Sequence, residues 1–195
     1  DSRKIKKGDL FISIKGNKFD GNKYIDQAIS KGAKVVIYSG SLKNKYKKVI
    51  FIKVKDTRNK LAVISSRYYK KKPKNIVAVT GTNGKTSIAD FFNQIFLFQK
   101  KKVGFLGTLG FKKNNHLKKR ELTTLDSLNL HKDLNNMKRS KIDNVIIEAS
   151  SHGLKQKRLN FLKIKTGIFT NLSHDHLDYH KSMNDYFSSK LILFK

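Results

Sequence analysis

Residues 76–87 read Ile76-Val77-Ala78-Val79-Thr80-Gly81-Thr82-Asn83-Gly84-Lys85-Thr86-Ser87, an apolar run that breaks into a glycine-paired turn carrying Lys-Thr. The β-branched start predicts a buried strand, and the spacing of Ile88, Phe91, Phe92, Ile95 and Phe96 beyond it predicts a helix. Gly81 and Gly84 let the backbone between them fold tightly, so that several N–H groups point inward, while the helix adds the positive end of its dipole. Such a loop cradles phosphates, here through Gly81, Thr82, Asn83, Gly84, Lys85, Thr86 and Ser87. Lys85 is placed to reach the outer phosphates of a nucleoside triphosphate, and the Thr86 hydroxyl to take a Mg²⁺ position. The residue five before Gly84 is Val79 and not Gly, so the loop is a variant of the ordinary Walker sequence.

On the N-terminal side the pattern predicts a small α/β unit over residues 1–72. Leu10–Ile14, Lys34–Tyr38 and Val49–Val54 read as strands, the stretch around Tyr24–Ile29 as a helix, and Leu61, Ile64 and Tyr68 as the apolar face of a helix capped by Asp56 or Thr57. The charged, proline-containing stretch Lys70-Lys71-Lys72-Pro73-Lys74 marks the boundary with a second domain, 73–195. There strand and helix patterns alternate: strands at Lys102–Gly107, Asn144–Glu148 and Thr166–Thr170, helices over Leu125–Met137 and from Met183, and a hairpin over Gly110–Arg120. The fold class expected is α/β, with a mostly parallel sheet in the second domain and chemistry at the carboxyl ends of its strands.

Composition narrows the classes. A formal charge of +29 raises nucleic acid as a partner, but only six of the 43 basic residues are arginines (Arg3, Arg58, Arg67, Arg120, Arg139 and Arg158), and the lysines are scattered through every segment. Nucleic-acid readers favour arginine and cluster their charge on one face, so a solvated lysine surface is the preferred reading and no nucleic-acid partner is expected. The absence of Cys excludes disulfides and thiolate zinc sites, which suits a reducing cytoplasm. No apolar run approaches the roughly 20 residues of a membrane span. The chain opens on Asp1 without an initiator Met and stops inside a helical pattern at Lys195, which reads as a piece of a longer protein.

Three further motifs follow strands of the second domain. Glu148 ends an apolar strand and precedes Ala149-Ser150-Ser151-His152; a carboxylate there has the Walker-B arrangement for Mg²⁺, the alternative being a strand-end Glu facing solvent. Thr123-Thr124 precedes a helix and reads by itself as an ordinary N-cap. Asn171-Leu172-Ser173-His174-Asp175-His176-Leu177-Asp178-Tyr179-His180 invites a metal. Its spacing fails the His-x-His-x-Asp-His pattern of metallo-hydrolases, because Tyr179 separates Asp178 from His180. What remains is a polar loop from which one imidazole reaches a second Mg²⁺ or a substrate carboxylate.

Together with the opening Asp1-Ser2-Arg3 and Gly8-Asp9-Leu10-Phe11, these segments resemble the Mur ligases, most closely the MurE branch, which adds the third amino acid to the muramyl peptide of peptidoglycan. The phosphate loop fits every branch of that family; Ser150-Ser151-His152 and Asp175–His180 favour MurE, and the opening block is shared with MurF. The resemblance implies a UDP-binding first domain that holds UDP-N-acetylmuramoyl-L-alanyl-D-glutamate through Ser2, Asn17, Lys18 and Phe19. It implies that Thr123, Thr124, Ser150, Gln156 and Arg158 hold the muramyl dipeptide. It assigns catalytic roles to Lys85, His176 and Lys190, and Mg²⁺ to Thr86, Glu148, His176 and a Lys190 that carries a carbamate. The implied reaction passes the γ-phosphoryl group of ATP to the D-glutamate side chain, giving an acyl phosphate that the amine of a diamino acid attacks. A cytoplasmic monomer is expected, meso-diaminopimelate is the expected amine, and L-lysine or a MurF-type reaction is the alternative. Leu125 stands where MurE proteins usually carry Pro, and a third domain and the rest of the ATPase domain are expected beyond Lys195.

Overall fold

The computed structural model describes residues 1–16, 19–42, 44, 46–113, 116–118 and 123–195. The chain forms two compact units, residues 1–61 and 62–195.

The first unit is a three-stranded parallel sheet in the order β1-β2-β3, with β1 at Leu10–Ile12, β2 at Val35–Tyr38 and β3 at Ile50–Lys53. Parallel strands need a crossover, and α1 (Ile25–Ser30) supplies it between β1 and β2. Phe11, Ile25, Ala28, Val36 and Tyr38 form the core. β1 is shorter than the sequence pattern predicts. Ser13 still donates its N–H to the Ile37 carbonyl of β2 at 2.8 Å, but its buried hydroxyl pairs with Asn22 and Gly21 donates to the Ile14 carbonyl at 3.1 Å, so the chain turns away from β2 beyond Ser13. Helix α2 (Thr57–Tyr68) is capped by Asp56, which accepts from the Asn59 N–H at 2.9 Å. The division between the units falls inside this helix, and Lys70–Lys74 forms neither helix nor strand.

The second unit contains β4 (Asn75–Thr80), α3 (Lys85–Phe98), β5 (Val103–Gly107), β6 (Gly110–Lys113), β7 (His116–Lys118), α4 (Ser127–Arg139), β8 (Asn144–Glu148), α5 (Ser151–Lys155), β9 (Thr166–Phe169) and α6 (Met183–Leu191). Its sheet runs β7-β6-β5-β8-β4-β9; β5, β8, β4 and β9 are parallel, and β6 and β7 are antiparallel additions at one edge. The apolar runs of β4 and β8 are unbroken because both faces of the sheet are covered. Ile76, Ala78, Val145 and Ile147 meet Leu130, Leu134 and Met137 of α4 on one face, and Val79 and Ile146 meet Ala89 of α3 on the other. The register sets Glu148 beside Val79 and Phe169 beside Thr80, so the carboxyl ends of the strands converge at the start of α3.

Helix α4 begins two residues later than the sequence pattern predicts, and its N-cap is Asp126, which accepts from the Asn129 N–H at 3.0 Å. The Thr123-Thr124 pair is therefore not a cap. The centre of the expected hairpin, Asn114-Asn115, lies outside the described residues. Among the described residues no helix is long and apolar enough to cross a membrane.

One buried side chain gives this unit a pH dependence. His131 on α4 has no solvent exposure; its Nε2 lies 3.3 Å from the Asn160 carbonyl and its Nδ1 has no hydrogen-bond partner. Burial, reinforced by the nearby Lys72 charge, lowers its pKa to about 4. An unfolded chain would protonate the same ring at about 6.5, so between these values the unfolded state binds more protons and stability falls as pH falls. Relative to neutral pH, a loss of about 2 kcal/mol at pH 5 is expected. Urea unfolding of wild type and His131→Leu at pH 7.5 and pH 5 checks this, with the variant expected to show the shallower pH dependence.

Candidate active site

The phosphate loop is built by β4 and held from β9. Strand β4 ends at the buried Thr80, the chain turns through Gly81 at φ 147° and Gly84 at φ 80°, and α3 begins at Lys85. A Cβ on Gly81 would lie 1.8 Å from the Thr170 hydroxyl, so close approach as well as backbone angle requires glycine there. The exit of β9 laces the loop from the side: Thr170 donates its N–H to the Thr80 carbonyl at 2.9 Å and its hydroxyl to the Asn83 carbonyl at 2.6 Å. Asn171 accepts from the Thr82 N–H at 3.0 Å through its carbonyl and from the Asn83 N–H at 3.0 Å through its side chain. Two of the loop amides expected to face a ligand are thus engaged by Asn171, and the first turn of α3 carries the free donors.

Glu148, at the end of β8, is fully buried, which excludes the solvent-facing alternative. Thr108 donates its N–H to Oε1 at 3.1 Å and lies 2.8 Å from Oε2 through its hydroxyl, while the Thr86 hydroxyl donates to Oε2 at 3.1 Å. Gly107 makes room, because a Cβ there would stand 2.2 Å from Oε1. The Glu148 carbonyl accepts from the Thr124 hydroxyl at 2.8 Å. Thr124 in turn accepts from the Ser150 N–H at 2.9 Å, and Ser150 caps α5 by accepting from the Gly153 N–H at 3.1 Å. The Arg158 guanidinium donates to the Thr124 carbonyl and, at 2.7 and 3.2 Å, to the Gln156 side-chain carbonyl; Gln156 donates to the Tyr179 hydroxyl at 3.2 Å. The sequence-selected residues Thr124, Ser150, Gln156 and Arg158 therefore form one hydrogen-bonded group around the end of β8.

Residues 81–87, Thr108, Thr123, Ser150, Ser151, His176 and Lys190 line an open cleft of about 240 Å³. Two lysines meet at its floor. Lys85 Nζ donates to the Gly81 and Thr82 carbonyls at 2.9 and 2.6 Å, and Lys190 Nζ donates to the same Gly81 carbonyl at 2.6 Å and lies 4.2 Å from the centre of the Tyr186 ring. Lys190 is buried. Burial and the Lys85 charge lower its pKa to about 8, and burial lowers that of Lys85. His176 takes a φ of 54°, with its carbonyl accepting from the Tyr179 and His180 amides and its ring 4.9 Å from that of His152. Burial and the surrounding imidazoles hold His152 near pKa 4, so its ring is neutral at pH 7.

The donors fit a small hard cation in part. The Thr86 hydroxyl and the Glu148 carboxylate are oxygen donors of the kind Mg²⁺ takes together with phosphate oxygens and water. His176 stands in the same cleft, but the Lys190 ammonium carries the wrong sign for a ligand. Among the described residues no group of three or more His, Cys, Asp or Glu is arranged as a metal site.

In the first unit, Ser2 and Phe19 line a separate cavity of about 560 Å³ together with Phe11, Ile14, Tyr24 and Gln27, and the Ser2 hydroxyl donates to the Gln27 side-chain carbonyl at 2.6 Å. Asn17 and Lys18 lie outside the described residues. Sequence reading assigned no role to Gly107, Thr108 or Thr170. The available signal was their position, since Gly107 ends the parallel strand β5, Thr108 follows it and Thr170 follows β9.

Comparison with known proteins agrees over the whole chain. The Mur ligase middle domain matches residues 79–195, and the Mur ligase family catalytic domain matches residues 1–69. The UDP-N-acetylmuramoyl-L-alanyl-D-glutamate–2,6-diaminopimelate ligase of Clostridium tetani is 43% identical over 100% of this chain and 41% of its own length; that of Rickettsia prowazekii is 40% identical over 100% and 41%. A solved structure of a ligase of the same name superposes with a TM-score of 0.86 at 33% identity, covering 100% of this chain and 39% of that one. The MurF ligase of Thermotoga maritima in complex with ADP shares the fold, with a TM-score of 0.61 at 20% identity over 100% of this chain and 42% of its own. The chain spans about 41% of the length of these curated relatives.

The Gly107–Glu148 approach yields a stability test. A methyl group at residue 107 must displace a buried carboxylate from its three donors, and Gly107→Ala is expected to lower unfolding free energy by about 2 kcal/mol. Chemical denaturation followed by circular dichroism measures it; an unchanged midpoint and slope would contradict the tight approach.

Proposed function

The chain belongs to the Mur ligase family, and from that premise we propose that it forms the UDP-substrate-binding and ATP-binding part of a ligase that joins the third amino acid to UDP-N-acetylmuramoyl-L-alanyl-D-glutamate. The observation that carries this reading is the cleft lined by residues 81–87, Thr108, Thr123 and Ser150, with the buried Glu148 hydrogen-bonded to its lining residues Thr86 and Thr108. A nucleotide and the carboxylate that accepts its phosphoryl group, held there together, would face each other across a few ångströms, which is what phosphoryl transfer to a carboxylate requires. The two curated relatives named above are called diaminopimelate ligases, and we take meso-diaminopimelate as the amine here. We place the domain boundary at 72/73, between the two family matches and in the segment that links α2 to β4.

In this reading the amides at the start of α3 and Lys85 hold the outer phosphates of ATP and offset the charge of the transferring group. Lys85 would exchange its bonds to the Gly81 and Thr82 carbonyls for phosphate oxygens. Thr123, Thr124, Ser150, Gln156 and Arg158 would orient the dipeptide so that the D-glutamate side chain faces the γ-phosphate. Ser2, Phe19 and, from the family resemblance, Asn17 and Lys18 would hold the UDP end. Thr86, Glu148, His176 and a carbamylated Lys190 would hold Mg²⁺, which when bound supplies positive charge against the phosphates.

The buried state of Lys190 supports that modification. With a pKa of about 8, close to a tenth of the population is a free amine at pH 7. Its nitrogen lone pair can add to the carbon of CO₂, and loss of the amine proton leaves a carbamate, converting a cation into an anionic oxygen donor. No partner beyond the substrates is invoked, and the enzyme is read as a cytoplasmic monomer.

Two measurements bear on this function. Calorimetry is expected to show UDP-N-acetylmuramoyl-L-alanyl-D-glutamate binding at least tenfold more tightly than UDP-glucose; equal or absent binding of both would count against the reading. In the complete ligase, Lys85→Ala is expected to reduce kcat by at least a hundredfold, about 3 kcal/mol of transition-state stabilisation, while leaving the Kd for the UDP substrate nearly unchanged. Ligation at near the wild-type rate would remove Lys85 from the mechanism.

A further inference from the structure

His180 closes the Asp175–His180 segment, and the proposed reaction gives it no role. Its ring is buried, and both ring nitrogens face hydrogen-bonding groups. Nε2 lies 2.9 Å from the Ser151 hydroxyl at the start of α5, while Nδ1 lies 3.5 Å from the Ser189 hydroxyl and 3.7 Å from Asp185 Oδ2, both on α6. Its backbone N–H donates to the His176 carbonyl at 2.9 Å. Three segments that line the nucleotide cleft, through Ser151, His176 and Lys190, therefore meet at one imidazole.

The surroundings decide which nitrogen carries the proton. The Ser189 hydroxyl donates to the Asp185 carbonyl at 2.7 Å, so its oxygen is left as an acceptor for the ring. The Lys155 ammonium, 2.5 Å from Asp185 Oδ2, holds that carboxylate ionised, and an ionised carboxylate only accepts. Nδ1 thus faces acceptors and carries the proton. Burial lowers the ring's pKa, so at pH 7 the ring is neutral and Nε2 is bare, free to accept from Ser151. The ring is a two-sided spacer: Ser151 O–H to Nε2 on the α5 side, Nδ1–H to the acceptors on the α6 side. It also lies 5.1 Å from the Tyr186 ring, whose hydroxyl is 3.1 Å from that of Thr82 and whose centre is 4.2 Å from Lys190 Nζ. An apolar side chain of equal size would fill the space but leave Ser151 without this acceptor.

We propose that His180 is a positioning residue that holds Ser151 at the start of α5 and Lys190 on α6 in register with the phosphate loop. The ring stands behind the cleft wall, and its effect passes through the residues it holds. The inference rests on the ligase reading and adds to it a support for the wall that carries Lys190. Misplacing that wall by a fraction of an ångström misaligns the groups that face the nucleotide, which costs rate more than substrate affinity.

The test compares His180→Gln with His180→Asn in the complete ligase. Both replace the imidazole by an uncharged amide, but the glutamine side chain reaches the place of Nε2 and the asparagine side chain only that of Nδ1. Calorimetry with the magnesium complex of a non-hydrolysable ATP analogue is expected to find His180→Gln within about twofold of wild type and His180→Asn at least about fivefold weaker, with kcat lowered at least about twentyfold in His180→Asn alone. The Kd for UDP-N-acetylmuramoyl-L-alanyl-D-glutamate, whose UDP end is held by the first unit, is expected to stay within about threefold of wild type in both, a split that a general loss of folding would not produce. Ser151→Ala, which leaves the buried ring in place, is expected to match His180→Asn, and it decides the matter if neither amide variant folds. Equal behaviour of two folded amide variants, a greater loss in His180→Gln, or Ser151→Ala with wild-type affinity and kcat overturns this inference and leaves the ligase reading standing. A wild type that ligates no amine in the presence of ATP and the UDP substrate overturns both.

Discussion

A carboxylate removed from water must have its oxygens hydrogen-bonded, or the fold bears a cost of several kcal/mol. Glu148 imposes that condition on the whole cleft. It ends a strand that lies between β4 and β5, with no solvent exposure, and its neighbours are arranged to satisfy it: the turn after β5 supplies two donors, the start of α3 supplies a third, and the absence of a side chain at Gly107 admits the carboxylate. The elements that satisfy it are also the elements that line the cleft.

The cations of the cleft obey a different logic. Lys85 and Lys190 are both anchored by the Gly81 carbonyl, a dipole that satisfies hydrogen-bonding geometry without cancelling charge. Two ammonium groups near one acceptor repel each other, which is part of why the Lys190 pKa falls to about 8. An anion entering the cleft would relieve that repulsion. The Tyr186 ring beneath Lys190 adds a face that accepts an ammonium while its own hydroxyl lies 3.1 Å from that of Thr82.

Strand β9 gives the loop its rigidity. Phosphate loops owe their geometry to glycine, yet glycine also leaves the chain free to leave that geometry. Here Thr170 and Asn171 tie down Thr80, Thr82 and Asn83 from the neighbouring strand end, which restores order at the cost of two amide donors. In the proposed function, anion binding would then fall to the first turn of α3 and to the lysines, where donors are fixed by the helix and by burial.

Much of this was legible in the sequence because it depends on local pattern. Strand positions follow from β-branched runs, the phosphate loop from glycine spacing, and the placement of Glu148 from its position at the end of an apolar run, each decided within about a dozen residues by backbone sterics and hydrophobic period. Outside the loop that contains Lys85 and Thr86, threonine and lysine carry no such signal, since both are common on any surface. That Thr124 braces Ser150 and is no helix cap, that Thr108 holds Glu148 from 40 residues away, and that Lys190 is buried against Gly81 at a separation of 109 residues became apparent only in the folded chain. The physical reason is that a hydroxyl or an ammonium acquires a role from the acceptor it faces, and that acceptor is chosen by strand order and register rather than by its neighbours along the chain.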